Sequence, residues 1–187
     1  MTQRIVECVP NFSEGRDPAK IKQITDAVAA VAGVRLLDVD PGADTNRTVV
    51  TFVGAPEAVE EAAFRAVATA ASVLDMRTHT GAHPRMGATD VCPFVPVEGV
   101  TLEECAAIAR RLGARVGAEL GIPVYLYEAA ASTPERRNLA AFHRADYHGN
   151  PAIPLKQAVL DTVQAQTGER PGGAVRMLAH WRYFGYC

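Results

Sequence analysis

Between Arg77 and Asp90 the chain reads RTHTGAHPRMGATD, which gathers two of its five histidines, His79 and His83, with Arg77, Arg85 and Asp90. The four-residue spacing of His79 and His83 could present two imidazoles to one metal ion if the stretch were helical. Gly81 between them and Pro84 directly after His83 oppose that, because the residue before a proline is pushed out of the helical region. The expectation is therefore no metal. Instead a histidine works as acid or base, or binds an anion together with Arg85. His83 is the best acid–base candidate, since an imidazole titrates at about 6.5, suited to proton transfer near neutrality. A loop histidine bonded to backbone is the alternative.

Other residues could complete such a site. Asp38 and Asp40 end an apolar stretch, and Asp40, nearer the following turn, is the better orienter of a histidine; a turn-capping aspartate is the alternative. Arg47 and Arg85 could hold a carboxylate by paired hydrogen bonds, or be ordinary surface arginines. Asn11, Ser13 and Glu14 offer hydrogen-bonding groups beside Gly15, or form a plain turn. Cys8 and Cys92 lie inside strand-like runs and read as buried packing before they read as nucleophiles. GxSxG, P-loop and dinucleotide fingerprints are absent from the sequence.

The elements that must position these residues follow from periodicity. Arg4–Pro10 reads as a strand and Asn11–Gly15 as a polar turn. Asp17 followed by Pro18 is an N-cap with a first-turn proline, opening a helix with Ile21, Ile24, Val28 and Val31 on one face that ends at Gly33. Val34–Asp40, the turn Pro41–Asn46 and Arg47–Val53 make a hairpin. Pro56 opens a helix whose stripe is Val59, Ala63, Val67, Ala70 and Leu74, with Glu57, Glu60 and Glu61 crowding its first turn. A strand over Val91–Val97 carries Pro93 and Pro96, which suit an edge or a bulge. Thr101 with Glu104 forms a capping box for a helix with Cys105, Ile108, Leu112 and Val116 inward, running to Gly121. A last strand spans Ile122–Tyr127.

The order β-α-β-β-α-β, then α-β, predicts an α/β (α+β) fold: a ferredoxin-like sheet with an α-β extension and helices packed on a mixed sheet. With right-handed crossovers, the first two strands point one way and the next two the other. The loops Asn11–Gly15, Pro41–Asn46 and Arg77–Gly87 then share one end of the sheet. These are the most polar and least periodic connections in the first half of the chain, and polar loops on a rigid scaffold commonly carry function.

Composition sets the outer bounds. At 187 residues, 48 % hydrophobic and 21 % charged, the chain suits one globular domain with an ordinary core. A net charge of −2 gives no field for nucleic acid or a membrane surface. Residues 1–133 hold 12 Lys and Arg against 17 Asp and Glu, whereas residues 134–187 hold 7 against 4. Four scattered cysteines and an N-terminus without a long apolar stretch point to reduced thiols and the cytoplasm.

The stretches VECVPNFSEGRD, LLDVDPGADTNRTVVTFVGAPEAV and HTGAHPRMGATDVCPFVPV, with PVYLYEAA further on, resemble the N-terminal subdomain of the glutamate formimidoyltransferase family over roughly residues 4–149. The resemblance implies transfer of a formimidoyl group from N-formimidoyl-L-glutamate to tetrahydrofolate, in histidine degradation and one-carbon metabolism. Tetrahydrofolate is then the co-substrate, with no metal. The family's essential histidine, in its GEHPRMG motif, falls on His83, with Ala82 in place of the usual acidic residue. Asp40 is expected beside it in catalysis, and Asn11, Ser13, Glu14, Arg47, His79 and Arg85 in substrate or folate binding.

The family's full unit has a second subdomain. The chain is accordingly divided into residues 1–149, subdomain-like, and a divergent tail, 150–187, with a helix expected over Pro154–Thr162 and a loop over Gly168–Gly173. It is expected to work as the N-terminal half, as a homo-oligomer or with a separate second-subdomain partner. A non-catalytic folate- or partner-binding module that keeps the fold is the alternative.

Overall fold

A computed structural model of the protein describes residues 3–82, 87–138 and 185–186. The tail helix and loop expected over 154–173 fall outside them.

Residues of alternating burial build the sheet. Strand β1 (Ile5–Cys8) continues as β2 (Asn11–Phe12) after a break at Val9–Pro10, and β5 (Thr89–Val91) continues as β6 (Phe94–Glu98) after a break at Cys92–Pro93. Each break ends in proline, which has no N–H to give the ladder. Contact persists across the gaps: Val9 donates to the Pro93 carbonyl at 3.3 Å, and Val50 to the Pro10 carbonyl at 2.9 Å. Asn11 and Phe12 therefore belong to the sheet, where the sequence pattern suggested a turn. Two short ladders bent by prolines replace one regular run.

Strands β3 (Val34–Gly42) and β4 (Arg47–Gly54) form the hairpin, with β3 running two residues beyond the expected end. β4 pairs antiparallel with β3 on one side and with β1 and β2 on the other, and these in turn pair antiparallel with β6 and β5. The first strand thus runs parallel in space to β3, and β4 to β5–β6, the directions that right-handed crossovers require. β6 lies at the sheet's edge among the described residues, consistent with its prolines. Beyond β5 come β8 (Gly185–Tyr186) and β7 (Val124–Tyr125), both joined in parallel, so the sheet is mixed.

Helices α1 (Pro18–Ala29), α2 (Pro56–Val73) and α3 (Leu102–Leu120) cover one face of this curled sheet. The caps form as the sequence indicates. Asp17 accepts from the amides of Ala19 and Lys20, and Thr101 and Glu104 exchange bonds in a capping box. Val59, Ala63, Val67 and Ala70 of α2 meet Val6, Cys8, Val50 and Phe52 of the sheet in one core. Among the described residues no helix is long and apolar enough to cross a membrane.

Glu60 and Glu61, expected to serve the α2 dipole, instead tie α2 to α3. Glu60 pairs with Arg111 at 2.5 Å and Glu61 with Arg115 at 2.6 Å. Arg115 also lies 3.6 Å over the Phe64 ring, so its stem and charge are both used. Hydrogen bonds from Arg115 first and Arg65 second hold the Glu61 carboxyl below its ordinary 4.5. A carboxyl depressed by folding adds stability above its unfolded value and loses it as pH falls through the folded value. Glu61→Gln is therefore expected to cost about 1 kcal/mol or less near neutrality. That deficit should fade in acid, read from urea midpoints at about pH 7 and about pH 3. A deficit equal at both would assign the loss to packing.

Candidate functional site

The three polar loops do meet, and one side chain joins them. Asn46, 7 % exposed, takes a left-handed φ of 51°, which asparagine tolerates better than most residues. Its Oδ1 accepts from the Gly15 amide at 2.9 Å, and its Nδ2 donates to the Thr80 carbonyl at 2.9 Å. Its own carbonyl lies 3.0 Å from His79 Nε2. A carbonyl only accepts, so His79 carries its proton on Nε2 there.

Further bonds close the junction. Ala82 donates to the Asp44 carbonyl at 3.0 Å, and Ser13 donates from its amide to Ala88 at 2.9 Å and from Oγ to Gly87 at 2.6 Å. Two glycines allow the approach. A Cβ on Gly15 would run into the Gly42 carbonyl, and one on Gly81 into the Thr45 carbonyl.

The sheet divides the candidate residues between its two sides. Asp40 lies opposite Val49, Val49 opposite Asn11, and Asn11 opposite Val91, one row across four strands. Directly opposed residues share a face. This face looks away from the helices, since Thr48, Val50 and Phe52, alternating with Val49, are buried in the core. Asp40 and Asn11 are thus two strand spacings apart, roughly 10 Å. Asp40 is exposed, whereas the Asn11 amide donates to the Val9 carbonyl at 3.0 Å. Arg47, two residues from Val49, pairs with Asp90 at 2.7 Å; Arg47 is 23 % exposed and Asp90 only 1 %.

On the other side, at the ends of the helices, Ser13, Glu14 and His79 line a polar cleft of about 200 Å³ with Arg16, Lys20 and Asp75. Here Glu14 already has work. Its Oε1 accepts from the amides of Arg16 and Asp17, at 2.9 and 3.0 Å, ahead of the first turn of α1. Arg77 pairs with Asp75 at 2.6 Å on the surface. His83 and Arg85 lie outside the described residues. The structure therefore brings Asp40, exposed, Asn11, 8 % exposed, and Arg47 together on the face away from the helices, and Ser13, Glu14 and His79 together in the cleft. Asn46 stands between the two groups.

The three described cysteines, Cys8, Cys92 and Cys105, are buried. Cys8 and Cys92 sulfurs are 3.7 Å apart at the strand breaks, and burial pushes the Cys105 thiol up. Sequence reasoning gave no role to Asn46 or Asp90. An asparagine closing the turn cluster, and an acid at the mouth of an apolar strand, were the available signals.

The model of the formiminotransferase domain, N-terminal subdomain, matches residues 5–175. The chain belongs to that family. It is 53 % identical over 155 residues to the formimidoyltransferase-cyclodeaminase of Mus musculus, covering 83 % of this chain and 28 % of that protein. It is 47 % identical over 154 residues to the glutamate formimidoyltransferase of Streptococcus pyogenes serotype M1, covering 82 % and 52 %. It is 50 % identical over 143 residues to the glutamate formimidoyltransferase of Thermoplasma acidophilum, covering 76 % and 47 %. The chain thus spans about half the length of the two glutamate formimidoyltransferases, and just over a quarter of the mouse protein.

Within this formiminotransferase subdomain the Arg47–Asp90 pair can be tested directly. Removing one member of a buried pair strands the other, at a cost of about 3 kcal/mol. Asp90→Ala should lose that much in urea denaturation, and Arg47→Met in the same chain should recover part of it. If the two losses simply add, the pair is not coupled.

Proposed function

We propose that the chain transfers a formimidoyl group from N-formimidoyl-L-glutamate to tetrahydrofolate as the N-terminal half of the transferase unit. One observation carries this reading. The row Asp40–Val49–Asn11, with Arg47 beside it, lies on the sheet face away from the helices in a chain whose relatives are named glutamate formimidoyltransferases. We read the sheet itself as ferredoxin-like. Taking β1–β2 and β5–β6 as single strands, the order across the sheet is fourth, first, third, second, which supports that arrangement.

In the proposed reaction the amine nitrogen of tetrahydrofolate attacks the formimidoyl carbon, giving a tetrahedral intermediate. His83 takes the proton that the amine gives up, and Asp40 orients its ring. The bond from that carbon to the glutamate nitrogen then breaks, and His83 returns the proton to the departing amine. Arg85, with Arg47 steadied by Asp90, holds carboxylates of glutamate or folate. Asn11, Ser13, Glu14 and His79 shape the surroundings, and no metal is called for.

His83→Ala should lower turnover by about 10²–10⁴-fold, the usual worth of a general acid–base group, with little change in thermal midpoint. His79→Ala should do much less, and Arg85→Ala should mainly raise KM. The assay is formation of 5-formimidoyl-tetrahydrofolate by the purified full chain, with tetrahydrofolate binding measured in parallel. Equal losses from His79→Ala and His83→Ala, reversed by zinc, would mean a metal site. Binding without turnover would leave a folate-binding module.

A cleft built on one face of a sheet needs a second wall. Leu37, Val95 and Val97, 50 %, 40 % and 56 % exposed, add apolar surface to this chain. We propose that it associates, with a second copy or with a separate second half, partly through that surface. Light scattering should then show a species heavier than one chain, or a partner should be recovered from cells. A strict monomer at high concentration with no partner overturns this.

A further inference from the structure

We propose that Asn46 is a positioning residue for this reaction: it fixes the approach 79–82 against the β3–β4 turn and the β2 loop, so that turnover depends on an amide that need not touch substrate. The inference rests on the transferase reading. It is carried by a ring of described contacts. The turn holds the approach through Asp44 to Ala82 and Asn46 to Thr80, and Asn46 Oδ1 holds the β2 loop through Gly15. That loop, through Ser13, holds Gly87 and Ala88 on the far side. Asn46 is the one residue in the ring whose side chain bonds both neighbouring segments at once.

Its backbone strengthens the argument. A left-handed φ of 51° places the carbonyl against His79 and directs the next residue, Arg47, along β4 to its pair with Asp90. Moving Asn46 would disturb the approach and Arg47 together, from opposite sides of the sheet. A misplacement of about 1 Å in groups distant from the chemistry can cost on the order of 10²-fold in rate.

The two ends of the amide can be separated. In Asn46→Asp the side chain still accepts from the Gly15 amide but has no proton for the Thr80 carbonyl. Amide hydrogen exchange by NMR on the full chain should show Ala82 exchanging roughly tenfold or more faster, the effect of one ordinary hydrogen bond, while Gly15 stays close to wild type. kcat should fall by about 10²-fold with KM nearly unchanged. Should Asn46→Asp fail to fold, Gly81→Ala gives a second test, since its methyl meets both the Thr45 carbonyl and the Asn46 Cβ and so pushes the approach off the turn with the Asn46 amide chemically unchanged.

Equal acceleration at Gly15 and Ala82 would mean general destabilisation and would overturn the proposal. So would a released Ala82 with unchanged turnover. If the wild-type chain, assayed with any second half recovered with it, has no turnover, it is the transferase reading that has failed. The exchange pattern alone then decides whether Asn46 positions the approach.

Discussion

The three polar loops of this protein meet on one buried amide, the side chain of Asn46. Loops this polar normally stay at the surface, because their backbone groups need water or partners. Here they partner one another, and Asn46 supplies both an acceptor and a donor where the turn meets its neighbours. Its left-handed backbone costs about 1–2 kcal/mol by the usual chirality argument. Two side-chain bonds in a site 7 % exposed can offset that, since a buried amide left without them would cost a comparable amount for each group. The crowding at Gly15 and Gly81 belongs to the same economy: the backbones come close enough to bond only where no Cβ intervenes.

The sheet extends this constraint to the face away from the helices. Once Asn46 has turned the chain, Arg47 begins β4, and its alternation fixes the rest: Thr48, Val50 and Phe52 inward, Arg47 and Val49 outward. Register then carries Val49 to Asp40 on one side and to Asn11 on the other. A slip of one residue would reverse every one of these side chains. The core that prevents the slip is ordinary, with small α2 residues such as Ala62, Ala63 and Ala66 set close against the strands.

What the sequence made legible was local. The Asp17–Pro18 and Thr101–Glu104 caps are each settled within three residues, so spacing alone identifies them. The apolar stripe of α2 is likewise a matter of period. The meeting of the three loops was legible through topology, because element order and crossover hand leave few arrangements. Three features were not legible. Asn11 and Phe12 looked like a turn because the break at Pro10 hides a strand that resumes after it. The Arg47–Asp90 pair was hidden because nothing in the sequence around Arg47 announces Asp90. Glu60 and Glu61 looked like dipole partners because Arg111 and Arg115, which tie them to α3, lie on another helix. In each case the deciding partner is remote in sequence, and single-sequence patterns carry no information about it.

The division of polar residues between two sides of one sheet then has a physical sense. Ordering a loop costs roughly 1–2 kcal/mol per residue in backbone entropy. If a ligand had to order all three loops, its binding energy would be consumed before any chemistry was favoured. Among the described residues of these loops the ordering is accomplished by folding. Ser13, Glu14 and His79 spend their hydrogen bonds on Gly87, on the approach to α1 and on Asn46. Hydrogen bonds on the helix-end side are thus used in folding, and Asp40 on the other face is exposed. Rigid support on one side and an exposed carboxylate on the other is the arrangement a preorganised site requires. It arises here because the turn at Asn46 is bonded to its neighbours on the side away from that carboxylate.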